Sequence, residues 1–285
     1  MTVDLCGIEL AHPVINGSGT FDVIAARRVF GAAVDENFPF SAFVSKTITL
    51  EPRLGNPPPR LFETPAGLIN SIGLPNRGVV GYLEHDLPEL ATLPVPLITN
   101  VMGSDADEVG QLFEALEPCD EIAAIELNVS CPNVKTGLDI GADPAELSKL
   151  LAVVRPKTSK PLIVKLTPNT ANVALVAGAA EASGADAVSL INTLRAFAAD
   201  PTAPGKAWLG GGTGGQSGPA IRSVALAQTS AVAAAIELPI IAMGGIANAA
   251  NGRQFLDAGA RVIAVGTESF RDPLAGAKIA AGLLS

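Results

Sequence analysis

The chain has 285 residues, of which 48% are hydrophobic and only 16% are charged, a composition that excludes an intrinsically disordered protein and allows one large buried core. The formal net charge is −9, so the chain as a whole repels nucleic acid and anionic membrane surfaces. Its apolar runs are too short and too interrupted to cross a bilayer. We therefore expect neither nucleic acid nor a membrane as a partner, whereas a small anionic ligand is not excluded.

The three cysteines, Cys6, Cys119 and Cys131, do not have the spacing of a zinc or iron–sulfur ligand set. An odd number of cysteines is typical of a reducing compartment. The N-terminal residues lack the basic segment of a secretion signal. These features predict a cytoplasmic protein without a metal site of its own.

Short aliphatic runs recur along the chain, and a turn and an alanine- and leucine-rich helical stretch follow most of them. We predict strands at residues 13–16, 42–46, 96–101, 122–128, 161–166, 187–192, 239–243 and 261–265. We predict helices at residues 79–93, 106–116, 144–154, 172–182, 220–236, 251–258 and 273–284. No dinucleotide-binding glycine motif opens the first unit. The repetition predicts an α/β protein, a single-domain (β/α)8 TIM barrel over residues 1–285.

Two segments interrupt this repetition, residues 47–76 and residues 195–219. The first is rich in proline and glycine, and the second contains a run of six residues that is glycine except for Thr213. Long loops in compact domains are often functional, but a tolerated surface insertion explains either segment equally well. The sequence leaves both interpretations open.

Polar residues lie at the carboxyl ends of the predicted strands, where the active sites of TIM barrels are assembled. Six of these residues carry an amide or an ammonium group: Asn16, Lys46, Asn100, Asn128, Lys165 and Asn192. Buried amides and ammonium groups need partners, and no matching carboxylates accompany them in the pattern. The ring therefore predicts an anionic or carbonyl-rich ligand at the mouth of the barrel.

Glycines end the last two predicted strands, at Gly244-Gly245 and at Gly266-Thr267, and Gly218 lies in the second long segment. Bare backbone N–H groups at this end of a barrel often bind a phosphate. A plain tight turn explains one glycine pair, but two consecutive strands that end in this way favour a phosphate site.

Few residues offer a catalytic group at this end of the barrel. His12 precedes a proline and His85 lies in a predicted helix, and no Gly-x-Ser-x-Gly elbow or paired carboxylates mark the site. Cys131 follows the fourth strand, and a lysine close to it would favour the thiolate. From these observations, Cys131 is either a base or a nucleophile.

The motifs along nearly the whole chain resemble those of the class 1 dihydroorotate dehydrogenases, FMN-containing TIM barrels of pyrimidine biosynthesis. The most specific motifs are NVSCPN at residues 128–133, NSIGLPN at 70–76, VKL at 164–166, INT at 191–193 and the glycine-rich run at 210–219. The resemblance implies oxidation of dihydroorotate to orotate on FMN, with Cys131 as the base. Within the family, Asn192-Thr193-Leu194 and the glycine-rich run resemble the NAD-linked type most.

The resemblance also implies roles for individual residues. It places the substrate against Lys46, Asn70, Ser71, Ile72, Gly73, Leu74, Asn128, Asn133, Asn192 and Thr193. It places the FMN against Ser18, Gly19, Lys46, Thr47, Asn100, Asn128, Lys165, Ile191 and Gly218, and its phosphate against Gly244, Gly245, Gly266 and Thr267. Lys165 would lie beside the edge of the flavin that gains negative charge on reduction.

The NAD-linked type implies a second subunit that carries FAD and a 2Fe–2S cluster, and an assembly that is a homodimer or a heterotetramer. Two segments depart from the family pattern, at Ala196-Phe197 and at Asp22-Val23-Ile24. Two other functions are alternatives: a related pyrimidine flavoenzyme such as a dihydrouracil dehydrogenase, and a non-catalytic barrel that binds a metabolite. The net charge argues against a third, a tRNA dihydrouridine synthase, which needs a basic face for RNA.

Overall fold

The fold is an eight-stranded parallel barrel with helices on its outside, as the sequence predicts. The computed structural model describes residues 2–130 and 140–285. The strands are β1 (Val3–Leu5), β2 (Ile8–Leu10), β3 (Val14–Asn16), β4 (Phe43–Val44), β5 (Leu61–Thr64), β6 (Gly67–Asn70), β7 (Leu97–Val101), β8 (Ile122–Asn128), β9 (Leu162–Lys165), β10 (Ala187–Leu190), β11 (Leu194–Ala196), β12 (Gly214–Ser217), β13 (Ile240–Met243) and β14 (Val262–Val265). Each of the eight predicted strands corresponds to one of these, which confirms the predicted TIM barrel.

The helices alternate with the barrel strands. They are α1 (Val23–Phe30), α2 (Ala33–Glu36), α3 (Gly78–Gly81), α4 (Leu87–Leu90), α5 (Ala106–Leu116), α6 (Pro144–Val154), α7 (Val173–Ala182), α8 (Arg222–Ala233), α9 (Ala249–Asp257) and α10 (Ala275–Leu284). The predicted helix at 79–93 is α3 and α4, joined by one π-helical turn at Tyr82–Asp86. No helix in residues 2–130 and 140–285 is long and apolar enough to span a membrane.

The predicted strand starts at prolines 13, 96, 161 and 239 are one residue too early. In each case the proline precedes the strand, because proline has no N–H to donate to the ladder. The predicted start of α7 is also one residue too early: Asn172 is the N-cap of α7, and its side chain accepts hydrogen bonds from the backbone N–H groups of the first turn.

The side chain of Asn16 helps to complete the barrel between its first two strands. The parallel sheet runs in the order β3-β14-β13-β10-β9-β8-β7-β4, and β3 and β4 are its two ends. The amide of Asn16 spans them: Nδ2 donates to the Val44 carbonyl at 2.8 Å and Oδ1 accepts from the Val44 N–H at 2.8 Å. Asn16 is fully buried. It therefore supplies the pair of hydrogen bonds that a ladder would otherwise make.

The inside of the barrel is apolar at its amino end and polar at its carboxyl end. One cluster combines inward-facing residues such as Ile98, Ile163 and Ile241 with Leu5 and Leu10 of the β1–β2 hairpin. The hairpin thus covers the amino end of the barrel with fully buried leucines. Ligand access is left to the opposite end, where the strands finish.

The two long segments are not plain loops. They contribute β5, β6, β11 and β12, which form a four-stranded antiparallel sheet in the order β11-β12-β6-β5. Gly215 pairs with Asn70 across the segments, and Phe62 contacts Trp208 edge to face at 6.3 Å. A small core around Ile69 and Leu209 lies beneath the sheet. The segments therefore form one body beside the mouth of the barrel.

Replacement of the hairpin leucine tests this closure of the amino end. We expect Leu10→Ala to lower the free energy of unfolding by about 2–5 kcal/mol, because it removes a fully buried side chain and leaves a cavity. The measurement is the urea unfolding midpoint of the full chain, with the half-exposed Ile8→Ala as the matched control. A loss from Leu10→Ala no larger than that from Ile8→Ala would contradict the role of the hairpin.

Candidate active site

A cavity of about 410 Å³ opens at the carboxyl ends of the barrel strands. Its volume lies within the range of about 300–1,000 Å³ that is typical of small-molecule sites. Most of the residues that the sequence pointed to line it: Ser18, Gly19, Lys46, Thr47, Asn70, Ile72, Leu74, Asn128, Lys165, Ile191, Asn192, Thr193, Gly218, Gly244, Gly245, Gly266 and Thr267. The fold therefore brings residues from both ends of the chain to one cavity.

Of the residues to which the resemblance gives a role, three that the structure describes do not line the cavity. The hydroxyl of Ser71 accepts a hydrogen bond from Asn56 at 2.9 Å, beneath the small sheet. Gly73 has a φ of +75°, and a Cβ there would lie 2.4 Å from the Asn56 nitrogen, so it shapes the turn. Asn100 is fully buried below the cavity. Two further expected residues, Cys131 and Asn133, lie outside the described residues.

Two lysines line the cavity at the ends of strands on different sides of the barrel. Lys165 is the last residue of β9 and is 6% exposed, whereas Lys46, which follows β4, is exposed. In the described part of the chain, neither ammonium group has a carboxylate within ion-pairing distance. A buried ammonium group without a partner is costly, and an anionic ligand would offset that cost.

A buried carboxylate that the sequence analysis missed lies below the two lysines. Glu126 faces the inside of the barrel from β8 and is 2% exposed. It accepts hydrogen bonds from the Asn100 amide and from the Ser189 hydroxyl, the latter at 2.7 Å. The expectation that no carboxylate matches the ring of amides is therefore wrong. Glu126 lies inside β8 and ends no strand, so the pattern of polar residues at strand ends does not include it.

The carboxylate also determines how Asn100 is used. A carboxylate only accepts hydrogen bonds, so it accepts from Nδ2 of Asn100, and Oδ1 is left as a buried acceptor with no partner among the described residues. The backbone N–H of Asn100 donates to the Ser45 hydroxyl at 3.0 Å. Asn100 is thus held from two sides in a polar layer beneath the cavity.

A second polar group follows the fourth and sixth barrel strands. Asn192 donates from Nδ2 to the Ser130 hydroxyl at 3.0 Å and to Asn128 Oδ1 at 3.4 Å. Its Oδ1 accepts from the Thr193 N–H at 2.9 Å. These contacts fix the faces that the amides of Asn128 and Asn192 present to the cavity. A planar ligand with ring carbonyl and N–H groups suits such a pair.

The glycines that end β13 and β14 form a cradle of backbone N–H groups. Among the residues described, no acceptor receives the N–H groups of Gly244, Gly245 or Gly266. A Cβ at Gly245, whose φ is +75°, would lie 2.7 Å from the Gly218 carbonyl oxygen. Only glycine fits this backbone conformation and this close approach. The cradle has the donors and the space that a phosphate group needs.

The structure adds lining residues that the sequence analysis did not identify. Leu61 and Leu68 come from the β5–β6 hairpin, and Glu268 and Phe270 come from the 3-10 turn at Thr267–Phe270. The sequence contains a signal for this hairpin, two short runs that flank Pro65-Ala66-Gly67, but the proline and glycine content of residues 47–76 predicts a loop. Apolar side chains thus cover one side of a cavity whose floor is polar.

A second cavity of about 320 Å³ lies beside the first and shares Gly19 and Lys46 with it. Tyr82 and Asp86 line it from the π-helical turn, and burial raises the pKa of both groups. The Tyr82 hydroxyl is hydrogen-bonded to Thr99 at 2.7 Å. Lys46 therefore lines both cavities.

Substitution of the buried carboxylate tests the polar layer. We expect Glu126→Leu to lower the free energy of unfolding by about 1–3 kcal/mol, because it leaves the Asn100 amide and the Ser189 hydroxyl buried without their acceptor. Glu126→Gln keeps an acceptor and should cost less. Urea unfolding measures both, with the exposed Glu121→Gln as control. Equal stability of Glu126→Leu and the wild type would show that these bonds contribute nothing.

Comparison with known proteins agrees with this geometry. The family model described as dihydroorotate dehydrogenase matches residues 1–285. A relative from Pelobacter propionicus is 44% identical over 99% of this chain and 92% of its own length. Relatives from Geotalea uraniireducens, at 42%, and from Desulforamulus reducens, at 44%, cover the same shares. All three are named dihydroorotate dehydrogenase B (NAD(+)), catalytic subunit, which confirms the resemblance to the NAD-linked type. The chain belongs to the dihydroorotate dehydrogenase family of oxidoreductases.

Proposed function

We propose that this chain oxidises dihydroorotate to orotate in pyrimidine biosynthesis, with FMN as the hydride acceptor and Cys131 as the base. The observation that carries the proposal is the combination, in one cavity, of three features: a cradle of N–H groups and a buried lysine that have no partner among the described residues, and a pair of oriented amides. The names of the relatives support the substrate.

The cavity residues fit FMN. The N–H groups of Gly244, Gly245, Gly266 and Thr267 would hold its phosphate, since none of them has an acceptor among the described residues and the three glycines place no side chain in the cradle. Lys165 would lie against the ring system, where a fixed ammonium group stabilises negative charge. When bound, FMN supplies a two-electron acceptor that no side chain offers.

The remaining polar groups fit dihydroorotate. Lys46 is the second cation of the cavity, and its ammonium group would pair with the substrate carboxylate. The amides of Asn70, Asn128 and Asn192 would hydrogen-bond the ring carbonyl and N–H groups, and Thr193 lies beside them. The same motif resemblance assigns Ser71, Ile72, Gly73, Leu74 and Asn133 to the substrate.

Cys131 would remove the proton from C5 while a hydride leaves C6, so that the C5–C6 double bond of orotate forms. The proton is next to a carbonyl, and a thiolate is basic enough to accept it when its pKa is matched to the working pH. The cation at Lys46 would hold the ring in one orientation toward this base. The amides of Asn128 and Asn192 would keep the ring plane fixed.

Electrons would leave through a second subunit. The relatives are named as catalytic subunits of an NAD(+) enzyme, which supports a partner for this chain. We propose that the partner carries FAD and a 2Fe–2S cluster, as the resemblance to the NAD-linked type implies. A homodimer of this chain or a heterotetramer with the partner, in the cytoplasm, completes the proposal.

Substitution of the cysteine tests the base. We expect Cys131→Ala to keep bound FMN but to reduce the rate of flavin reduction by dihydroorotate by about 100-fold or more, because general bases contribute roughly 10²–10⁴ in rate. Anaerobic stopped-flow absorbance measures that rate, and Cys119→Ala serves as the matched control. An unchanged rate in Cys131→Ala would remove the cysteine from the mechanism.

Substitution of the exposed lysine tests the substrate assignment. We expect Lys46→Ala to raise the KM for dihydroorotate by roughly 10- to 100-fold, because a charge-assisted hydrogen bond contributes about 1.5–3 kcal/mol. Steady-state kinetics measures the change, with Lys149→Ala on α6 as control. A loss of FMN with an unchanged KM would place Lys46 against the cofactor alone.

A further inference from the structure

Two connecting segments of the barrel meet at one side of the main cavity. Residues 191–193 join β10 to β11 and line the cavity, whereas residues 166–172 join β9 to α7 and do not line it. The Asn192 N–H donates to the Leu166 carbonyl oxygen at 3.2 Å, so the two segments are in contact. The second segment therefore lies directly behind two of the proposed substrate residues, Asn192 and Thr193.

The side chain of Asn169 holds the cavity-lining segment at two points. Its Nδ2 donates to the Thr193 carbonyl oxygen at 3.1 Å, and its Oδ1 accepts from the Arg195 N–H at 2.9 Å. Both ends of one amide are thus bonded to the main chain, on either side of Leu194. The amide therefore fixes the backbone at the point where Thr193 leads into β11.

Asn169 is itself held in place by its own loop. Its backbone N–H and its Nδ2 both donate to the Thr167 hydroxyl, at 3.2 and 3.1 Å. Thr167 is fully buried, and Gln228 of α8 donates to the Pro168 carbonyl oxygen at 3.3 Å. Because both its backbone and its amide are bonded, Asn169 has little freedom to move. It therefore gives Thr193 a fixed position.

Thr193 contacts the strand that holds a third proposed substrate residue, Asn70. A Cβ at Gly215 would overlap Thr193 Oγ1, so the Thr193 side chain fills the space beside this glycine of β12. The Gly215 carbonyl oxygen in turn accepts from Asn70 Nδ2 at 3.2 Å. A continuous chain of contacts thus runs from Asn169 through Thr193 and Gly215 to Asn70, and both Thr193 and Asn70 line the cavity.

We propose that Asn169 is a positioning residue: its amide fixes Thr193, and through it the Asn70 amide, in the orientation that binds the substrate ring. The inference rests on the proposed function, which places these two residues against dihydroorotate. A site that is already ordered binds more tightly, because the ligand does not have to immobilise the segment. An amide suits this position because it donates to one backbone group and accepts from another.

The test measures the affinity of orotate, the product of the proposed reaction, for the FMN-loaded full chain, from the change that orotate causes in the flavin absorbance spectrum. We expect Asn169→Ala to raise the Kd of orotate by about 3- to 10-fold, because loss of a neutral hydrogen bond changes an equilibrium by roughly that factor. Asn169→Asp should raise it at least as much, since a carboxylate only accepts and would turn an acceptor toward the Thr193 carbonyl. The Kd of FMN should stay at the wild-type value in both variants, because among the described residues no hydrogen bond joins Asn169 to the glycine cradle.

Asn172→Ala is the matched control. Asn172 ends the same loop, and its side chain caps α7 without a bond to residues 191–195, so its loss weakens the loop but not the clamp on Thr193. We expect the urea unfolding midpoint to fall in both alanine variants and the Kd of orotate to rise in Asn169→Ala alone.

Three results would contradict the inference or its basis. Equal Kd values of orotate in Asn169→Ala and Asn172→Ala would overturn the inference and leave the proposed function in place. So would an Asn169→Asp variant that binds orotate as tightly as the wild type does. A wild type that binds FMN but not orotate would overturn the proposed substrate, and this inference with it.

Discussion

Buried polar groups need hydrogen-bond or ionic partners. In this site some of these groups have a partner inside the protein and others do not, and the groups of the second kind determine which ligand the site favours. Both ends of the Asn16 amide hydrogen-bond to Val44 and help to complete the barrel. Glu126 takes the Asn100 amide and the Ser189 hydroxyl. In residues 2–130 and 140–285, Lys165 and the N–H groups of the glycine cradle line the cavity without a partner. These groups are donors, and they therefore favour an anion.

The rest of the architecture serves this polar layer. The β1–β2 hairpin covers the amino end with buried leucines, so the cavity opens only where the strands finish. The small antiparallel sheet adds Leu61 and Leu68 to one side of the cavity. In such a cavity, the apolar wall can contact the face of a flat ring system while the polar floor hydrogen-bonds to the edge of the ring. Lys165, at the end of β9, and Lys46, which follows β4, add positive charge to this cavity.

The barrel and most of the cavity were predictable, because strand periodicity and residues at strand ends are local signals. The functions of Asn16 and Asn100 were not predictable, because the sequence does not distinguish a buried asparagine that bonds to a neighbouring strand from one that faces a ligand. Glu126 was missed because its partners come from other strands. The small sheet was missed because β6 and β12 pair across a long separation in sequence, which periodicity within either segment does not reveal. Cys131 and Asn133, on which the resemblance places most weight, lie outside the described residues.

The most direct test of the proposed reaction is anaerobic. The purified wild-type chain, with its flavin spectrum recorded, is mixed with dihydroorotate in one experiment and with dihydrouracil in another. Loss of the oxidised flavin band with dihydroorotate alone is the result that the account predicts, since only that substrate carries a carboxylate for Lys46. Loss of the band with dihydrouracil alone would contradict the substrate assignment, and a protein that takes up no FMN would contradict the cofactor site itself.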